Sequence, residues 1–282
     1  MNQAEWDRRI GRAQDLISSY PFAAEGLRFY ARIAAFQRSL YVDCQRTLPA
    51  PTAGFGSLSL RGEPDLFFLL PKFSDFLPLL QQISPPPLAQ VARDLARKGS
   101  AEWQRVIEEF WSAEPLPGDG GGKGVCGEAQ GTIARERLLA WIFLQPYAEY
   151  MADQCGTLHV DGAPSTCPIC GGNPVVGVLR REGDGARKSL VCMLCSHEWS
   201  FRRIYCPACG EEREPQMGFY SAPEIAHVRV DVCDTCHTYL KSIDLTKTGL
   251  AVPIVDELAT IPLDLWAREH GYEKLQINLL GS

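Results

Sequence analysis

Four Cys-x-x-Cys pairs hold the residues of this chain best placed to do chemistry: Cys167/Cys170, Cys192/Cys195, Cys206/Cys209 and Cys233/Cys236. They account for eight of the eleven cysteines, and they repeat. Cys167-Pro168-Ile169-Cys170-Gly171 leads, after about 20 residues, to Val191-Cys192-Met193-Leu194-Cys195. Cys206-Pro207-Ala208-Cys209-Gly210 leads in the same way to Val232-Cys233-Asp234-Thr235-Cys236, about 40 residues further on. Two residues between cysteines let both thiolates of a tight turn face one ion, and the returning segment supplies a second pair to close a tetrahedron. The pattern therefore predicts two ions per chain. One is held by Cys167, Cys170, Cys192 and Cys195, the other by Cys206, Cys209, Cys233 and Cys236, with metal–sulfur distances of about 2.3 Å.

Other chemistries fit less well. Disulfides suit an oxidising compartment, whereas the cysteine count is odd and the start, Met1-Asn2-Gln3-Ala4-Glu5-Trp6-Asp7-Arg8-Arg9, has no apolar core of a secretory signal. A redox dithiol needs one pair at a strand-to-helix turn, not four pairs in a repeat. Cys233 to His237 also spells the haem attachment pattern C-x-x-C-H, but its counterpart ends in Ser196. His237 then reads as a turn residue tolerant of positive φ. Cys44 and Cys155 read as small buried residues and Cys126, in a glycine-rich stretch, as an exposed thiol. Gly118 to Gly124 lacks the Lys-Ser/Thr of a phosphate loop, and no acid–base or nucleophile set is legible, which argues against an enzyme.

The elements that must position the cysteines differ between the two halves. Up to residue 155 the pattern is helical. Trp6, Ile10, Ala13 and Ile17 form one apolar stripe, and a second helix spans about Phe22 to Arg46. Leu66 to Leu80 carries Pro71 and Pro78, which predicts short or kinked helix. Ser84-Pro85 predicts a capped helix start running to about Arg97, followed by a helix over Ala101 to Ser112. Pro49 to Pro64 reads as a loop, as does Glu114 to Gly131 with seven glycines and two prolines. Thr132 to Asp153 predicts the last long helix, bent at Pro146. Beyond Gly156 strands take over. Val175–Arg181 with Ser189–Val191, and Met217–Tyr220 with Ala226–Val232, predict a hairpin in each repeat, then a strand over Tyr239–Leu245 and a closing helix over Thr260–His270.

A formal charge of −6 weighs against nucleic-acid binding, which rests on phosphate neutralisation, and two four-thiolate sites would take it near −10. The metal region is not basic either, with nine Lys and Arg against eleven Asp and Glu from Val160 to Leu245. The longest apolar run, Leu138 to Leu144, is too short for membrane insertion. A cytoplasmic protein with no small-molecule substrate is expected.

Several stretches together resemble the formate dehydrogenase accessory protein family, FdhE. They are Cys167 through Glu198, Trp199 and Arg203; Cys236-His237-Thr238-Tyr239-Leu240-Lys241; and Asp256-Glu257-Leu258-Ala259, Leu263-Asp264, Glu269-His270-Gly271-Tyr272 and Asn278. The resemblance implies an α+β protein: an N-terminal all-α domain (1–155), then two sequential rubredoxin-like metal units (160–204 and 205–282), the second with a short C-terminal helix and tail. It implies an assembly or maturation factor in the cytoplasm that binds the catalytic subunit of respiratory formate dehydrogenase, with rubredoxin-like sites that can hold iron, whereas four thiolates by their own chemistry suit zinc or iron. Ser196 and His237 stand where rubredoxin has glycine. A rubredoxin-like electron-transfer module and a nucleic-acid-binding zinc ribbon are the alternatives. Thr238, Tyr239, Leu240, Lys241, Tyr272 and Asn278 are candidates for partner contact, with packing of the tail onto the metal units as the competing reading.

Overall fold

The computed structural model describes residues 3–49, 62–113, 128–155 and 164–281. The expected loop residues 50–61, the stretch 114–127 with Cys126 and most of the link after Gly156 lie outside them. The architecture is α+β. Six helices come first: α1 (Gln3–Ser19), α2 (Ala24–Thr47), α3 (Leu66–Ile83), α4 (Pro86–Lys98), α5 (Ser100–Ser112) and α6 (Glu128–Gln154). Of the stripe expected on α1, Trp6 and Ala13 are buried and Ile10 and Ile17 half-buried, with Arg9 and Leu16 also inside, while α2 buries Leu27, Tyr30, Ile33 and Leu40. Aromatic rings join α2, α3 and α6, with Phe36 4.8 Å from Phe76 and Phe73 edge-on to Phe143 at 4.9 Å.

Three local expectations change. Helix α3 runs unbroken through Pro71 and Pro78. Each proline removes one backbone donor, but burial of Phe68, Leu69, Phe73, Phe76, Leu77 and Leu80 outweighs the loss, and Asp65 caps the start by accepting from the Phe68 N–H at 3.0 Å. Ser84 does not cap α4. It ends α3 by donating its N–H to the Leu80 carbonyl, and α4 starts at Pro86 without a side-chain cap. The closing helix stands as α8 (Ile261–Glu269), and a further short helix, α7 (Pro253–Ala259), precedes it across Thr260. Helix α6 also begins four residues earlier than its pattern suggested.

The strands are β1 (Pro174–Glu182), β2 (Gly185–Cys192), β3 (Glu198–Phe201), β4 (Met217–Ser221), β5 (Val228–Cys233), β6 (Thr238–Asp244) and β7 (Glu273–Lys274). They form one sheet in the order β3-β2-β1-β6-β5-β4, with β7 beside β6. Within each cysteine repeat the neighbours are antiparallel, and the repeats meet where β1 runs parallel to β6. Gly177, Val178 and Leu179 pair there with Ser242, Ile243 and Asp244. The Ser242 hydroxyl donates to Asp231 at 2.6 Å, and Lys188 reaches the same carboxylate from the other repeat at 2.7 Å.

A Cβ at position 177 would overlap the Ser242 hydroxyl, so the seam needs glycine. Gly177→Ala should destabilise the chain by about 1–3 kcal/mol, as overpacking does. Adding Ser242→Gly should recover part of the loss in urea unfolding. A single variant as stable as the parent would mean that the seam opens freely.

Helix α7 lies between the helical half and the sheet. Arg12 of α1 donates through Nε to Asp256 of α7 at 3.0 Å, and His227 meets the same carboxylate at 2.9 Å. Burial alone would raise the Asp256 pKa, but the His227 and Arg12 hydrogen bonds hold it below the ordinary carboxylate value. No helix among the described residues is long and apolar enough to cross a membrane.

Candidate metal centres

Three of the four Cys-x-x-Cys pairs sit in tight turns closed from the residue after the second cysteine, and at the fourth Cys192 donates its N–H to the His197 carbonyl at 3.0 Å. Gly171 donates its N–H to the Cys167 carbonyl at 2.8 Å, Gly210 to Cys206 at 2.9 Å and His237 to Cys233 at 2.8 Å. The residue after each second cysteine takes positive φ: Gly171 at 71°, Ser196 at 52°, Gly210 at 76° and His237 at 55°. Ser196 and His237 are the only such non-glycine residues among those described, so both adopt the turn that glycine makes easily. The turn reading of His237 holds.

These turns bring the eight predicted sulfurs into two groups, one per repeat, each with all four sulfurs within 4.8 Å of one another. In the first, Cys167 and Cys195 stand 3.5 Å apart and Cys170 and Cys192 3.3 Å. In the second, Cys206–Cys236 and Cys209–Cys233 are each 3.7 Å. A tetrahedral ion with bonds of about 2.3 Å sets sulfur–sulfur edges of about 3.8 Å, so both groups fit one ion apiece. Crowding supports the fit at the first. A Cβ at Gly172 would lie 2.9 Å from the Cys192 sulfur and 3.3 Å from that of Cys170, so only glycine lets the chain pass. Burial pushes the Cys192 and Cys195 thiols up, while hydrogen bonds from Cys167 and the other sulfurs hold Cys170 down.

The two groups differ in setting. The first is wholly buried, no cysteine being more than 4 % exposed. Trp141 of α6 donates its indole N–H to the Met193 carbonyl at 3.0 Å, and Ser196 donates to Glu149, which also accepts from Arg9 at 2.9 Å. Asn173 donates to Gln276 of the tail at 3.2 Å. In the second group Cys206 and Cys233 are buried, Cys236 is half-buried and Cys209 is exposed. Arg202 pairs with Glu212 at 2.9 Å and stacks on Tyr205, which leaves it engaged away from the sulfurs.

The candidate partner-contact residues are largely interior in this chain. Tyr239, Leu240, Lys241 and Asn278 are buried, and Thr238 and Tyr272 are half-buried. The polar atoms of Tyr239, Lys241 and Asn278 are paired inside. Tyr239 donates to Asp264 at 2.9 Å, Lys241 to Asp264 at 2.6 Å, and Asn278 to Glu257 at 3.0 Å. Lys274 joins the same two carboxylates, and Tyr272 donates to Asp234 at 2.6 Å. The buried contacts tie the tail and α8 to β6. Cys44 is buried, which drives its thiol up to about 12, and Cys155 is half-buried.

Against known proteins, residues 166–203 match the model of the FdhE central domain and residues 204–280 that of the FdhE C-terminal domain. A Protein FdhE homolog of Aquifex aeolicus is 34 % identical over 141 residues, a match spanning 49 % of this chain and 50 % of that one. A Protein FdhE homolog of Shewanella oneidensis is 28 % identical over 288 residues, 99 % of this chain and 88 % of the relative. The crystal structure of the FdhE protein from Pseudomonas aeruginosa shares the fold, with a TM-score of 0.69 at 21 % identity over 99 % of this chain and 96 % of that one. Two consecutive domain models place residues 166–280 in the FdhE family, and the chain is similar to FdhE homologues over nearly its whole length.

Proposed function

We propose that the chain is a cytoplasmic accessory protein for formate dehydrogenase, one that binds the enzyme's catalytic subunit during maturation and is needed for its activity. Similarity to the FdhE family supports the accessory role. The observation that carries the mode of action is the closure of both centres. Four cysteine sulfurs fill the coordination of a tetrahedral ion and leave no position for a substrate. The chain then works by recognising another protein rather than by catalysis. In this reading residues 1–155 form a platform, while 160–204 and 205–282 each carry one ion held by their four cysteines. When bound, zinc would cross-link each unit, and iron would add a one-electron couple. An electron-transfer role has one observation in its favour, the exposure of Cys209 at the second centre.

The test is recovery of partners on the tagged chain from cells grown anaerobically on formate. A formate dehydrogenase catalytic subunit should co-purify, and a Cys206→Ser, Cys209→Ser chain should lose it. Full formate oxidation in cells lacking the gene, with no such partner recovered, would overturn the assignment.

A further inference from the structure

The sequence writes the two centres alike, yet their surroundings would treat a bound ion differently. Around the first, all four cysteines are buried and both turns are held by elements from elsewhere in the chain. Helix α6 holds the Cys192–Cys195 turn through Trp141 and, by way of Glu149, through Ser196. The tail holds the other turn through Asn173 and Gln276, and the Leu194 N–H points at the Cys192 sulfur at 3.3 Å. An incoming ligand reaches this ion only after α6 or the tail has left the sheet. The Cys206–Cys209 turn is more open, with Ala208 and Cys209 exposed. Its nearest anchor is Glu211, whose backbone carbonyl accepts the Cys206 N–H at 2.8 Å and whose carboxylate accepts from Arg213 and Thr235 at 2.7 Å each. Arg213 is exposed, and so are Thr235 and the Cys209 side chain.

We propose that the second centre is a labile, ligand-exchanging site entered at Cys209, whereas the first keeps its ion as long as the fold persists. The partner class is a thiol or other soft donor. Its sulfur bonds to the ion as the bond to the Cys209 sulfur breaks, and the proton shed by the incoming thiol passes through solvent to the Cys209 thiolate. No electron changes hands. The first centre cannot follow this route, because its exchange waits on a sub-global opening whose free energy adds to the barrier. The proposal rests on the eight cysteines being ligands and not on the identity of the protein partner.

The experiment uses the full chain loaded with zinc, its stoichiometry measured first. Excess chromophoric chelator is then mixed in and zinc release followed. Two equivalents should leave in two phases, the fast one about a hundredfold or more quicker than the slow one, as local and sub-global openings differ. Cys209→Ser should alter the fast phase alone. Pulsed iodoacetamide labelling of the unaltered zinc-loaded chain supplies a second measurement that needs no variant. Cys209 should be alkylated well before Cys167, Cys170, Cys192 and Cys195. One release rate for both equivalents, or early labelling at the first centre, overturns the proposal. Failure to bind two equivalents overturns the ligand reading itself and is distinguished at the stoichiometry step.

Discussion

A chain carrying Cys167→Ser and Cys170→Ser should lose the folded sheet, not merely one ion. The first centre is closed in by α6 and the tail, and its four sulfurs tie β1, β2 and the approach to β3 together. Structural zinc supplies about 10–16 kcal/mol of apparent binding free energy in small modules, more than most domains possess as net stability. Removing two ligands should abolish most of it. The strand signal in circular dichroism should fall, and the remaining helices should melt without a sharp transition. Cys206→Ser with Cys209→Ser should be milder, because the exposed turn carries no packing from the helical half. A first-centre double variant that melts within a few degrees of the parent would show that packing alone holds this region.

The second large effect is expected from Lys241→Met. The Lys241 ammonium is fully buried and lies 2.6 Å from Asp264, 3.0 Å from Glu257 and 2.6 Å from the Glu257 carbonyl. Burial opposes its charge, yet Glu257 and Asp264 raise its pKa, so it stays an ammonium. Removing it leaves two interior carboxylates with Lys274 as their main counter-charge, and breaking such a pair destabilises by about 3–5 kcal/mol. The urea midpoint should fall accordingly, and Asp264→Asn in the same chain should restore part of it. The pH dependence has a defined sign. Burial would raise the Asp264 pKa, but Lys241 and Lys274 hold it below the ordinary carboxylate value. A depressed carboxylate stabilises the fold above its unfolded pKa of about 4 and loses that contribution as pH falls through the folded value. The gap between parent and Lys241→Met should therefore narrow below about pH 4. A gap that is constant across that range would place the effect in packing rather than charge.

What could be read from the sequence was local. The eight cysteines and the sites they form follow from turn geometry, because the spacing alone aims both sulfurs of a pair. The stripe from Trp6 to Ala13 follows from helical period. What was hidden depended on distant partners. Lys241 looked like a surface lysine because lysine seldom goes inside, and its partners lie 16 and 23 residues on. Arg12 meets Asp256 across 244 residues. Tyr239 and Lys241 did carry one usable signal, since strand alternation puts them on the same face as Ile243. The unequal burial of the centres was invisible because both repeats open with C-P-x-C-G, and it is α6 and the tail, distant in sequence, that cover the first.

The seam between β1 and β6 has one more consequence. In both repeats a cysteine turn, two strands, a second cysteine turn and a third strand follow in order, so β1 corresponds to β4 and β3 to β6. The seam thus joins the first strand of one copy to the third strand of the next, a head-to-tail relation that advances rather than closes. The two outer strands left over, β3 and β4, are the same complementary pair of edges again. Stacked end to end, molecules could in principle extend the sheet without limit. Both outer strands are poor templates for that growth. β3 has four residues, with Trp199 pinned to the Pro164 carbonyl at 2.9 Å, and β4 has five, between Pro215 and Pro223. A tandem design that joins two small units in one sheet carries the seed of a filament, and its short margins, one of them set between prolines, work against that growth.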